Sequence, residues 1–215
     1  MMNDRERIIV NEFHNLYYDG LSGGSQIFGH TFWMNIPCLK CPLDLWTYQE
    51  IINEVKPDLV IETGTYLGGS ALFIAHLLDI LGNGKVVSID KIVYSDRPTH
   101  QRIQYVTGSS TDEILVSSVL NSYCLGKCLI ILDSDHSKKH VLEELHLFAP
   151  YVSLGSYLIV EDTNINGHPA FPSFGEGPFE AVQEFLQTNT RFVVDQSREK
   201  FLMTFNPQGY LKRIA

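Results

Sequence analysis

No basic run in this chain exceeds two residues, as in Lys138-Lys139, and the formal net charge is -9. A surface that gathers nucleic-acid phosphates needs clustered cations, so that class of partner is not expected. No apolar run reaches the roughly 18 residues that a bilayer span requires. The opening Met-Met-Asn-Asp-Arg-Glu-Arg lacks the apolar core of a signal peptide before Asp4 and Glu6. The expectation is a cytoplasmic protein with neither membrane nor nucleic-acid partner. Cysteine is scarce: Cys38, Cys41, Cys124 and Cys128. Cys38-Leu-Lys-Cys41 has the spacing of half a zinc site or a redox pair, but Cys124 and Cys128 supply no matching half. All four are expected to be reduced and structural.

Also missing is Gly-x-Gly-x-x-Gly, the turn that a dinucleotide pyrophosphate needs. What stands in its place is Asp58-Leu-Val-Ile-Glu-Thr-Gly-Thr-Tyr-Leu-Gly-Gly-Ser-Ala71, read as Glu62-x-Gly64-x-Tyr66-x-Gly68-x-Ser70. Leu59 to Ile61 form an apolar, β-branched run, the mark of a buried parallel strand. Gly64 allows a sharp turn, and Ala71 to Leu78 has helix length and an apolar side. Strand, glycine turn and helix together place a ligand at the carboxyl edge of an α/β sheet. An acid just before the first glycine suits a ligand with a cationic amino group, such as S-adenosylmethionine.

The 215 residues, 44% apolar and 19% charged, are sized for one domain with a substantial core. The pattern gives a short helix around Ile8–Leu16, a glycine-rich loop Asp19–Ser25, and a helix over Pro42–Val55 stopped by Pro57. Strands follow at Lys85–Asp90, Ile103–Thr107, Cys128–Leu132 and Gly155–Val160, with helices at Asp112 onward, carrying Ile114, Leu115 and Val119 on one side, and at Lys139–Phe148. After a long loop, Thr163–Gly177, come a helix over Pro178–Gln187 and an antiparallel pair, Arg191–Val194 with Lys200–Phe205. Alternating β and α predicts a Rossmann-like, doubly wound, mostly parallel seven-stranded sheet with an antiparallel final strand. Residues 1–56 are expected to form an N-terminal helical cap on a folding unit spanning 57–215.

Acids cluster where the strands end: Glu62, Asp90, Asp133 with Asp135, and Glu161 with Asp162. In a parallel sheet these ends share one edge and face one crevice. Asp135, Glu161 and Asp162 form an all-oxygen candidate metal set, which selects Mg²⁺, Ca²⁺ or Mn²⁺. Asp90, 26 residues after Gly64, stands near the usual place of a ribose-binding carboxylate. Gly108-Ser-Ser-Thr-Asp112 offers hydroxyls to a base.

Three motifs carry a resemblance: Glu62-Thr-Gly-Thr-Tyr-Leu-Gly-Gly-Ser70, Asp133-Ser-Asp-His-Ser137 and Glu161-Asp-Thr-Asn164. With Thr31–Pro37, Pro42–Trp46 and Asn166–Pro169 in the same order, the chain resembles the cephalosporin hydroxylase/rhamnosyl O-methyltransferase family. More distantly it is similar to catechol O-methyltransferases. The resemblance implies a Mg²⁺-dependent S-adenosylmethionine O-methyltransferase acting on a small-molecule hydroxyl, and a homo-oligomer. It implies metal ligation by Asp135, Glu161 and Asp162, with Asp135 and Lys138 catalytic and Lys138 the candidate base. Tyr66 and Ser70 are implied at the methionine moiety, Asp90 at the ribose, and Ser110 and His136 near the adenine. Glu62, Gly64, Gly68 and Asp133 complete that cofactor set. His136 and His168 are rival bases. A sugar, a phenol or a natural product all suit as acceptor, and the aromatics of Thr163–Gly177 suit a cover over it, a lid or an oligomer contact. Two other readings stay open: a non-catalytic S-adenosylmethionine-binding module supporting a partner hydroxylase, and an NAD(P)-dependent oxidoreductase.

Overall fold

The computed structural model of the protein describes residues 2–123 and 126–215, so Cys124 lies outside the described residues. Seven strands build the main sheet: β1 Leu59–Thr63, β2 Lys85–Asp90, β3 Ile103–Thr107, β4 Cys128–Leu132, β5 Tyr157–Val160, β6 Phe192–Val194 and β7 Tyr210–Arg213. Their order is β3-β2-β1-β4-β5-β7-β6. The first five run parallel, while β7 lies antiparallel to both β5 and β6. The doubly wound expectation, antiparallel last strand included, is met.

Period-two alternation sorts the strand residues onto two cores. Ile61, Ile130, Leu158 and Leu211 pack beneath α4 (Glu113–Tyr123), α5 (Lys138–Phe148) and α6 (Pro178–Thr188). Val60, Leu129, Ile159 and Tyr210 pack beneath α2 (Pro42–Val55) and α3 (Gly69–Leu81). Strands covered on both faces read as continuous apolar runs, which is why β1 and β4 were legible. α2 has Pro42 in its first turn and ends where Lys56 turns left-handed, φ 49°, one residue before Pro57.

The first helix, α1, is longer than expected, Asp4–Asp19, because Asn3 and Glu6 form a reciprocal capping box. Short two-residue ladders, Leu21–Ser22 with Ser25–Gln26 and Phe32–Trp33 with Ile36–Pro37, occupy the loops before α2. A third cluster, including Tyr18, Cys41, Ile165 and Phe205, fastens this N-terminal section over the carboxyl edge of the sheet. Cys38 and Cys41 are buried, unbridged thiols, and burial pushes both up to about 12, as inert structural cysteines require.

Two expectations need correction. Lys200–Phe205 is not a strand: Leu202 takes φ 72°, and Phe205 leaves the sheet to pack on Tyr18 while its N–H donates to Asp44 Oδ2 at 2.8 Å. The strand that closes the sheet is Tyr210–Arg213. On α4, Val119 is buried but Ile114 is 83% exposed, so Ile114 does not share the core side. Among the described residues no helix is long and apolar enough to cross a membrane.

Candidate functional site

The sheet order reverses between β1 and β4, and crevices of α/β proteins open at such points. Here a cavity of about 530 Å³ lies at the carboxyl edge, within the size range of small-molecule sites. Register fixes what meets there. Thr63 pairs with both Ile89 and Leu132, and Leu132 pairs with Val160, so the residues after β1, β2, β4 and β5 converge. Two non-glycine residues in the cavity wall, Tyr66 (φ 48°) and Asp162 (φ 53°), are left-handed. Such backbone strain concentrates at functional positions.

Of the residues picked from sequence, Gly64, Tyr66, Asp90, Ser110, Asp133, Asp135, His136 and Asp162 line this cavity. Glycine is obligatory at position 64: φ is 80°, and a Cβ would stand 1.7 Å from the Asp133 carbonyl oxygen. Gly68 makes the left-handed cap of α3. Glu62 and Ser70 lie buried below the turn. Glu62 accepts from Ser88 Oγ at 2.7 Å, its Oε1 has no hydrogen-bond partner, and burial pushes its carboxyl up to about 7. Asp90 accepts from the N–H groups of Tyr66 and Ile92, both at 2.9 Å, and from Arg97 at 2.8 Å. Arg97 also donates to the Tyr66 carbonyl at 2.7 Å, tying the β2–β3 loop to the glycine turn.

The acidic centre is organised around a residue that sequence reasoning passed over. Lys40, 3% exposed, reaches in from the loop before α2, donates to Asp133 and stands 2.8 Å from Glu161 Oε1. Burial alone would lower its ammonium, but the Asp133, Glu161 and Glu62 carboxylates together hold it well above the usual lysine range. Glu161 also accepts from Tyr48, a buried α2 residue, so its charge is already compensated. Asp133, His136 and Asp162 bring three ligand atoms within 4.8 Å of one another. His136 Nε2 lies 3.3 Å from Asp162 Oδ2, and Tyr18 donates to Asp162 Oδ1 at 3.4 Å. Burial raises the Asp133 and Asp162 carboxyls above the ordinary range. The two desolvated carboxylates, Asp133 and Asp162, are oxygen donors that a hard divalent cation fits, and His136 stands beside them.

Other sequence candidates fall outside that cluster. Asp135 is exposed and accepts from the Ser137 N–H at 2.9 Å, and the Ser137 hydroxyl and amide hold it below the usual carboxylate range. Lys138 does not line the cavity; its Nζ pairs with Glu176 at 3.1 Å and Glu184 at 3.2 Å, on the α5–α6 side. His168 stacks on Phe179 and pairs with Glu180 at 2.9 Å, away from the crevice. Besides Lys40, which stands behind the cavity wall, Tyr18, Ser134 and His140 are among the lining residues that the sequence reading gave no role. They come from an aromatic helix, a turn and a helix flank, where no spacing rule singles them out.

Sheet order, glycine turn and acid-lined crevice define a doubly wound α/β protein with a small-molecule site at its topological switch point. A profile of the Rhamnosyl O-methyltransferase/CmcI family matches residues 25–214. The chain belongs to that family. It is 40% identical to a rhamnosyl O-methyltransferase of Mycobacterium tuberculosis, over 95% of this chain and 85% of that protein. It is 41% identical to one from Mycobacterium leprae, over 95% and 90%. Among solved structures, a CmcI holding Mg and SAM aligns with TM-score 0.67 and 20% identity, over 91% of this chain and 81% of that one. MycE methyltransferase, solved with Mg, SAH and mycinamycin VI, aligns with TM-score 0.51 and 21% identity, over 62% and 37%.

Proposed function

We propose that this protein is a Mg²⁺-dependent, S-adenosylmethionine-dependent O-methyltransferase whose acceptor is a hydroxyl of a rhamnosyl unit on a small molecule. The observation that carries the reading is the meeting of the Gly64 turn with the Asp133–His136–Asp162 cluster in one cavity. Identity of 40% to rhamnosyl O-methyltransferases across nearly the whole chain supports the class of acceptor.

In this reading the cofactor's methionine part lies over Gly64 and Tyr66, and its ribose takes Asp90 Oδ1, which holds one hydrogen bond where Oδ2 holds two. Asp133 and Asp162 bind the cation through carboxylate oxygen, the donor type that Mg²⁺ prefers. When bound, the ion lowers the pKa of an acceptor hydroxyl and fixes its direction. Lys40 holds Asp133 in place and keeps the second charge of the centre, Glu161, neutralised. His136, beside Asp162, receives the acceptor's proton as general base. Methyl transfer to an electrophilic sulfonium carbon then needs little more than in-line placement. Tyr18 and Phe28, stacked at 5.0 Å, give the cavity an aromatic patch for the apolar face of a deoxy sugar. Exposed Ile8, Ile9, Phe13 and Leu16 on α1 support self-association.

The test is calorimetric titration of S-adenosylmethionine and S-adenosylhomocysteine, with and without Mg²⁺, and with NADH as control. Micromolar binding of the sulfur compounds and a separate Mg²⁺ signal, lost in Asp133→Asn, are expected. Binding of NADH alone would overturn the reading.

A further inference from the structure

The loop after β5 is moulded on the turn that leads into β7. Val160 N–H donates to the Gly209 carbonyl at 2.9 Å, and Asn164 N–H to the Phe205 carbonyl at 3.1 Å. Between them, Asp162 N–H donates to Asn206 Oδ1 at 3.1 Å, and the Thr163 hydroxyl to the Pro207 carbonyl at 2.7 Å. Of the turn residues in these bonds, Asn206 alone uses its side chain. Asn206 is fully buried, its N–H donates to Thr204 Oγ1, and its carbonyl accepts from the Gly209 N–H, both at 2.9 Å.

A backbone N–H can only donate, so the amide atom of Asn206 that faces Asp162 is its oxygen. The other end, Nδ2, then donates to Tyr48 Oη at 3.1 Å. Tyr48 accepts on that side and gives its one proton to Glu161. One amide thus serves both acids after β5: the backbone of Asp162 and, through Tyr48, the charge of Glu161. Asp162 needs that support. It is a non-glycine residue at φ 53°, a conformation that persists only where the surroundings hold it. Its carboxylate contacts are long, 3.3 Å to His136 and 3.4 Å to Tyr18, so the backbone sets the aim of the side chain.

We infer that Asn206 is a positioning residue of the metal centre: by capturing the Asp162 N–H, it fixes the left-handed backbone that aims the Asp162 carboxylate at the cation. The inference rests on the Mg²⁺ reading proposed above. Without the Asn206 oxygen, the Asp162 N–H loses its partner and the residue is free to leave the left-handed region. The carboxylate moves with it. Groups one hydrogen bond removed from a metal ligand govern its orientation in this way, and the metal's affinity with it.

The test is calorimetric titration of the full chain with Mg²⁺ alone, in wild type, Asn206→Ala, Asp162→Gly and the double variant. Asn206→Ala should weaken Mg²⁺ binding by about ten- to a hundredfold, with S-adenosylhomocysteine affinity measured without Mg²⁺ held within about twofold. Glycine at 162 has no carboxylate to aim and accepts a positive φ, so in that background Asn206→Ala should cost no further Mg²⁺ affinity. A merely structural role would add its loss to that of Asp162→Gly and weaken the sulfur compound as well. Should Asn206→Ala fail to fold, Asn206→Leu fills the space and deletes the same acceptor, and the same pattern is expected. Undiminished Mg²⁺ affinity in a folded Asn206 variant, or additive losses in the double variant, overturns the inference alone. Failure of wild type to bind Mg²⁺ overturns it together with the metal reading.

Discussion

Lys40 Nζ lies 2.8 Å from Glu161 Oε1, with both side chains 3% exposed, which joins the N-terminal section to the carboxyl end of β5 by a buried ion pair. A pair so placed need not stabilise more than apolar residues would, but breaking it strands a charge. Lys40→Met should destabilise the protein by about 3–5 kcal/mol, read from urea unfolding. Lys40→Met with Glu161→Gln should recover much of the loss. Additive effects of the two changes would show that the pair is not coupled.

The metal assignment separates two acids only two residues apart. Asp133→Asn and Asp162→Asn should each weaken Mg²⁺ binding by at least about tenfold, or 1.4 kcal/mol. Asp135→Asn should leave it nearly unchanged, because that carboxylate is turned to Ser137. Calorimetry on the three variants decides the matter, and the reverse pattern would restore Asp135 as the ligand.

For proton transfer, His136 and Lys138 are the candidates to compare. Lys138 is bound to exposed Glu176 and Glu184 outside the cavity, so Lys138→Ala should keep turnover within about twofold. His136→Ala should lower it by on the order of a hundredfold or more. A large loss in Lys138→Ala with His136→Ala unaffected would return the role to the lysine.

Burial raises the Asp44 carboxyl from an ordinary 3.8 to about 7 in the folded protein. Between those values the native state binds more protons than the unfolded chain, so stability must fall as pH rises through that window. Asp44→Asn does not titrate, and its stability should fall less steeply from pH 4 to pH 7, by up to about 1.4 kcal/mol per pH unit. Parallel slopes for the two proteins would show that Asp44 is charged throughout.

The sheet was legible because β1, β2, β4 and β5 are short apolar runs that end in acids, a signal that does not depend on distant partners. The crevice followed from topology: parallel strands bring their carboxyl ends together whichever residues fill the core. What escaped was decided by contacts far apart in sequence or by turn geometry. Lys40 sits in an irregular loop and gains meaning only against Asp133, 93 residues later. Asp133 and Asp135 look equivalent in Asp-Ser-Asp-His, and only the path of the turn after β4 separates them. Lys200–Phe205 has strand composition, yet Phe205 is claimed by Tyr18 and Asp44, and tertiary packing overrides propensity.

The position of β7 between β5 and β6 bears on how this protein is made. β6 is synthesised before the strand that joins it to the sheet, since β5 and β6 are not neighbours. Until Tyr210–Arg213 leaves the ribosome, β5 keeps an open edge of unpaired backbone groups, and open edges recruit other chains. The hazardous interval for this molecule is therefore the one between the emergence of β5 and the emergence of β7, when holdase chaperones would have the largest effect on yield.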